Sequence, residues 1–314
     1  MLRYALGRLL GLSLTLFLAS VAVFTVVEVI PGDPAQIMLG MEATPEARAT
    51  LRAELGLDRG PVARYLSWAG GLLRGDLGVS YTYRVPVADL VAERLAVSVP
   101  MAAYALILAL ALGLTAGALA AARRGGPVDL LITGLTQIGI AIPNFWFGML
   151  LVLLFAITLR MFPAGGFAGW QDGPGPALHS LTLPAIALAL PQAAILARVM
   201  RASLIEVMER DFIRTARAKG LSRGQALRRH GLRNALGPVL TILGLQAAFL
   251  LAGAIIIENV FALPGLGRLL FQQLAARDLV VVESVVMLLV FAVVLISWCV
   301  DIAYAVADPR LRRR

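Results

Sequence analysis

The chain has one cysteine, one lysine and two histidines in 314 residues, and charged residues make up only 15% of it. A single cysteine, Cys299, rules out a disulfide within the chain and leaves no thiolate cluster for a metal. His179 and His230 are far apart and have no Cys or acidic group beside them, so they read as ordinary solvated or interfacial residues. The one lysine, Lys219, stands before Gly220 and Leu221. A phosphate-binding loop needs Gly-Lys-Ser/Thr, so this chain cannot contain one. Within the spans, Gly-x-Ser-x-Gly, His-Glu-x-x-His and paired aspartates are also missing. Those absences argue against an intramembrane hydrolase.

Apolar residues are abundant, at 59% of the chain. Soluble domains carry about 25% charged residues, well above the share here. A membrane span needs about 20 apolar residues. Six segments meet or approach that length, near 9–30, 98–122, 130–159, 180–200, 236–258 and 280–305. The first is longer than the apolar core of a cleaved signal peptide and reads as a retained anchor. The expected fold is an all-α integral membrane protein of six helices, divided at 95/96. Residues 1–95 form the first span and an extracytoplasmic helical segment, and residues 96–314 form a five-span core.

The net charge of +9 suggests nucleic acid only if position is ignored. With the N-terminus inside, 18 of the 28 basic residues fall on the inner face, ten of them between Arg198 and Arg233. That is the positive-inside pattern of a bilayer protein with both termini cytoplasmic, not a nucleic-acid surface. Segment 31–95 holds seven arginines against eight acidic residues and lies outside. Thr44-Pro45-Glu46 starts a helix there that Gly56 ends. A second helix is expected from Pro61 to Arg74, with Leu66, Gly70 and Leu73 on one face. Pro31-Gly32-Asp33-Pro34 reads as a turn.

Several residues inside or at the ends of the spans invite a structural expectation. Pro143, Pro184 and Pro191 should interrupt helices. Gly113 and Gly117 form a small-xxx-small pair suited to close helix packing. Glu28, Glu258 and Asp301 lie near span ends, where snorkelling or a structural hydrogen bond explains an acid. A secondary carrier would favour inverted repeats and mid-span charges, and neither is evident.

The loop from about 201 to 235 is the most informative stretch. Asp211–Lys219 reads as a helix, with Arg210, Arg214 and Arg217 on a basic face and Phe212, Ile213 and Ala216 on an apolar one. Gly220 ends it. Ser222 then caps a second helix, with Gln225 completing a capping box. Such a loop could lie on anionic lipid or fit a protein groove. The glycine interruption and the small apolar side favour the groove.

The residues Arg214-Thr215-Ala216-Arg217-Ala218-Lys219-Gly220-Leu221-Ser222 resemble the EAA loop of binding-protein-dependent ABC importer permeases, in the dipeptide/oligopeptide/nickel branch. Supporting segments are PGDPA at 31–35, ELGLDR at 54–59, GDLGVS at 75–80, PNFWFG at 143–148, FPAGG at 162–166, ENVFALPGLGR at 258–268 and DIAYAVADPR at 301–310. Where the general pattern has Glu-Ala-Ala, this chain has Arg214-Thr215-Ala216, as is usual in the branch. The resemblance implies a MetI-like type I importer fold and a permease subunit, not an enzyme. It implies Arg214, Thr215, Ala216, Arg217, Lys219, Gly220, Leu221 and Ser222 as the coupling residues. It implies no cofactor in this chain, with ATP and Mg bound by two cytoplasmic ATPase partners. A second permease subunit, a different chain of the C type, and an extracytoplasmic solute-binding protein complete the implied assembly in the bacterial inner membrane. Peptide is the commonest cargo of the branch, with nickel and other small solutes as alternatives.

Overall fold

A computed structural model describes residues 2–29, 33–40 and 43–307. The Pro31-Gly32 half of the expected turn, the Asp301 side chain and the C-terminal arginines lie outside the described residues, as does the DPR end of the last motif. Among the described residues the chain is helical, and the one β feature is an isolated bridge between Val79 and Pro86. It divides into two compact units, one of residues 1–98 and 264–295, the other of 99–263 and 296–314.

In the first unit, α1 (Leu2–Val29) is a long apolar helix. Short helices α2 (Pro34–Leu39), α3 (Pro45–Glu54) and α4 (Pro61–Leu73) follow, each with proline in its first turn. Thr44 caps α3 by accepting from the Ala47 N–H at 3.2 Å, and Gly56 takes φ +66 beyond its end. The helix α4 lies against α1 through Phe24, Tyr65 and Trp68, whose ring centroids are 5.5–6.2 Å apart. The Tyr65 hydroxyl also meets Ser20 at 2.9 Å. The packed face of α4 is therefore the aromatic one, while Leu66 and Leu73 of the expected stripe are 63% and 91% exposed. Aromatic rings bury more area per residue than leucine, which decides which face turns inward.

After α4 the GDLGVS segment makes a tight path. Gly75 and Gly78 have φ of +79 and +81, and a Cβ on Gly78 would sit 2.8 Å from Val280. Asp76 accepts from the Gly78 N–H, and Ser80 donates to Asp278 at 2.5 Å. The unit's core joins Val87 and Val91 from the start of α5 (Val87–Ala122) to Leu266 and Leu269 of α12 (Leu266–Ala276). Val281 and Val285 of α13 (Leu279–Ala307) complete it.

The second unit is built around α8 (Pro174–Met208), which packs on α6 (Pro127–Ala141), α7 (Asn144–Leu151, continued by a π-helical turn to Thr158) and α11 (Leu232–Val260). Gly113 and Gly117 of α5 touch α8. A Cβ would come within 2.7 Å of Leu196 at the first and 2.5 Å of the Ala197 carbonyl at the second. The small-xxx-small reading thus describes a real backbone approach.

Among the described residues five helices are long and apolar enough to cross a membrane, and a sixth crossing exists if a bent pair is counted as one. That pair occupies the expected span at 130–159 and is broken at Pro143, the interruption the proline predicts. Helices α6 and α7 meet at 103°. Ile142, which precedes Pro143, is extended at φ −80, ψ 124, because proline disfavours the α conformation in the residue before it. Pro184 and Pro191, expected to interrupt, instead sit within an unbroken α8. Each removes one backbone bond, but α8 is largely buried by its neighbours, whose packing holds it continuous.

Candidate docking site

The basic loop grows directly out of α8. Glu209 closes that helix and Arg210 turns extended, at φ −72, ψ 152. Helix α9 (Asp211–Ala218) then begins with Asp211, a negative charge at the positive end of the helix, and has Arg217 in its last turn. The end of α9 is a Schellman motif. The Gly220 N–H donates to the Arg217 carbonyl at 3.0 Å and the Leu221 N–H to the Ala216 carbonyl at 3.3 Å, with Gly220 at φ +96. Ser222 caps the next helix. Its Oγ accepts from the Gln225 N–H at 3.3 Å, while Gln225 Oε1 accepts from the Ser222 N–H at 2.9 Å.

That next helix does not end within the loop. The short α10 (Arg223–Ala226) passes through a π-helical turn, Leu227–Gly231, straight into α11. The base of the loop is closed against α8. A Cβ on Gly231 would lie 3.1 Å from Leu204 and Met208, and Ser203 donates to the Ala235 carbonyl at 3.0 Å.

The faces of α9 also differ from the helical-wheel reading. Ile213 is 1% exposed and turns into the protein, while Phe212 is 45% exposed and faces out. Adjacent residues on a helix point about 100° apart, so both could not join one apolar face. Ala216 is half-buried between them. The basic face is partly neutralised, since Arg210 pairs with Glu206 and Arg214 with Asp211. Arg217 and Lys219 are exposed and form no ion pair among the described residues. The outward surface is thus Phe212, Arg214, Thr215, Arg217 and Lys219, followed by the glycine turn. Phe212 stands just outside the nine-residue signature, so the motif gave no reason to select it.

Two links missed by sequence reasoning hold the approach to this loop. Asp129, in the first turn of α6, is 4% exposed. Arg201 donates to its two oxygens from Nε at 2.5 Å and from Nη2 at 2.7 Å, and the Gly125 N–H adds a third bond at 2.9 Å. Arg124 meets Glu209 at 2.6 Å, bringing the 123–126 turn beside the root of α9. The pair at Arg124 is solvated and weak, whereas the Arg201 fork is bidentate and mostly buried.

The family segments outside the loop serve the fold. Gly165 of FPAGG lies under Phe261, where a Cβ would be 2.5 Å from the Phe261 carbonyl, and the Gly166 N–H donates to that same oxygen at 2.8 Å. Gly148 of PNFWFG meets the Phe261 ring, at 3.1 Å from a built Cβ. His179 stacks on Phe162 at 4.7 Å and its Nε2 lies 3.0 Å from the Met161 carbonyl, a structural role. Glu28 pairs with Arg64, and Glu258 is buried at 1% exposure.

Residues 113–313 match the family described as binding-protein-dependent transport system inner membrane component, and residues 1–102 match the N-terminal part of such membrane components. The chain belongs to this family. It is a multi-pass permease subunit of a binding-protein-dependent ABC transporter. Among similar proteins, one named as a peptide transport system permease in Brucella abortus (strain 2308) is 42% identical over 297 residues, covering 95% of each chain. The glutathione transport system permease protein of Escherichia coli (strain CFT073) is 40% identical over 312 residues, covering 99% of each. A solved chain of the MetNI methionine ABC transporter, in an inward-facing conformation, superposes with a TM-score of 0.59 at 19% identity. It covers 70% of the permease and 96% of its own length, and shows the fold alone.

Proposed function

We propose that this permease subunit forms part of the translocation path of an ATP-driven importer of peptides, with Arg214–Ser222 as the surface that an ATPase partner grips. The loop carries the reading. A short helix, a left-handed glycine turn and a capped second helix are held rigidly on α8 and α11, with Phe212, Arg217 and Lys219 outward. A rigid base lets a push on α9 move the two long helices behind it. Lipid binding would favour a continuous apolar stripe, and here Ile213 is used internally. Peptide cargo is supported by the relatives in Brucella abortus and Escherichia coli, whose names specify peptide and glutathione.

In this reading the assembly has a second permease chain, two ATPases that bind ATP and Mg, and a solute-binding protein outside. Both termini are cytoplasmic. Residues 1–95 supply the first span and the outer segment, and 96–314 the core. The outer segment meets the binding protein or the partner permease, and the uncovered Val62, Leu66 and Leu73 of α4 offer it an apolar edge.

The deciding experiment substitutes the loop in the assembled transporter. Gly220→Pro cannot adopt φ +96. Ala216→Asp places a charge on the half-buried side of α9. Both variants should reach the membrane, yet abolish ATP-dependent peptide uptake in vesicles. Uptake that remains coupled to ATP hydrolysis in both would refute the docking assignment.

A further inference from the structure

A cavity of about 580 Å3 opens within the unit of residues 1–98 and 264–295. Its wall joins the end of α1, helices α3 and α4, the 76–84 loop and the first turns of α13. Four carboxylates and three guanidinium groups line it. Glu28 and Arg64 satisfy one another. Glu283 does not share in this. It is only 9% exposed, lines the cavity, and has no hydrogen bond or ion pair among the described residues. The guanidinium that acts on it, Arg64, is already held by Glu28, and the Glu28 carboxylate opposes a second negative charge there.

An unpartnered carboxylate at such depth costs several kcal/mol, and buried polar groups in native proteins find partners. A compact cationic donor in the cavity would satisfy it. Among the described residues no three His, Cys, Asp or Glu side chains are grouped to hold a metal ion, and hard divalent cations need several oxygen ligands. A primary ammonium fits better. It brings three N–H donors, and Phe24, Trp68 and Tyr81 line the same cavity. The Tyr81 phenol is pushed up to about 12 by burial and by the Glu283 and Asp278 carboxylates, so it stays neutral. Two buried donors on this wall, Trp68 Nε1 and Arg64 Nε, lack acceptors. A ligand carrying an acceptor beside its ammonium would serve them as well.

We propose that this cavity binds a primary ammonium group through Glu283. The amino terminus of a short peptide is the favoured source and a simple amine the other. The volume lies within the roughly 300–1,000 Å3 of small-molecule sites. The significance of the site for transport rests on the peptide-permease reading above, where it would hold the cargo's amino end on the outer segment.

The test is calorimetric titration of the full chain in lipid nanodiscs with dialanine, N-acetyl-dialanine and ethylammonium chloride at fixed ionic strength. Dialanine should bind, and acetylation should weaken it by at least about tenfold, as loss of a charged hydrogen bond requires. Ethylammonium should bind more weakly than dialanine. Equal affinity would keep the ammonium site and make a simple amine its ligand. Glu283→Gln should weaken dialanine by at least about tenfold. If that variant fails to fold, the acetylation comparison on the unaltered chain decides. Equal binding of the acetylated peptide, or no binding of either amine, overturns the proposal. Amine binding that persists while the loop substitutions leave coupled uptake intact refutes the docking assignment alone. Coupled peptide uptake without amine binding refutes the cavity assignment alone.

Discussion

Severing the Asp129–Arg201 fork should cost this protein more than a hydrogen bond between membrane helices usually does. Side-chain exposure is 6% for Asp129 and 32% for Arg201, and two charged hydrogen bonds of 2.5 and 2.7 Å join them. Couplings measured between membrane helices average about 0.6 kcal/mol and reach about 1.7. Breaking a buried ion pair costs about 3–5 kcal/mol, because one charge remains without compensation. Here the guanidinium left by Asp129→Ala can partly rehydrate, which places the loss near the lower end, at about 3 kcal/mol. The same variant strips the Gly125 N–H of its acceptor. Arg201→Ala strands a carboxylate that is almost wholly buried. Arg201→Lys should be intermediate, since an ammonium cannot supply the planar two-bond fork. A double-mutant cycle, read by reversible unfolding in mixed micelles, should return a coupling of about 2 kcal/mol, slightly above the usual membrane range. A value under about 0.5 kcal/mol, the scatter expected of independent sites, would show that burial and geometry have been misjudged here.

Three further outcomes follow from the packing and topology. Gly117→Ala should destabilise the permease by about 1–3 kcal/mol, since its Cβ would meet the Ala197 carbonyl at 2.5 Å. Gly134→Ala, with nothing within 4 Å, should be neutral or stabilising, and thermal midpoints in detergent will separate the two. Reporter fusions at Arg74 and Arg217 should fall on opposite sides of the membrane, and a shared side would refute the topology. Cysteines introduced at Ala47 or Ala63 should crosslink in intact membranes to the binding protein or the partner permease, whereas labelling only from the cytoplasm would refute the outer placement of 31–94.

Much of the candidate site was legible because helix ends are local. Thr44, Ser222 with Gln225, and Gly220 act within four residues of themselves, and each does so here by the expected bonds. What the sequence could not show is which residues meet across distance. Asp129 and Arg201 are 72 positions apart, and Ser80 and Asp278 are 198 apart. Residue type alone gives no reason to pair them. Ile213 and Phe212 are both apolar, and only the contact of α9 with the rest of its unit decides that the smaller turns in.

The family, the class of fold, the apolar helices and the cap-and-glycine plan of the docking loop were set by the sequence itself. Each depends on composition, on short-range spacing or on a motif a few residues long. The fate of its prolines was not. Pro143 ends a helix and turns the chain by 103°, whereas Pro184 and Pro191 lie inside an unbroken one. All three exert the same local bias, a lost donor and a constrained preceding residue. Helix α8 stays continuous because α6, α7 and α11 pack around it, while the chain at Ile142 is left free to take the extended backbone its proline prefers. That choice belongs to the tertiary structure, since the cost of a missing backbone bond depends on what surrounds it.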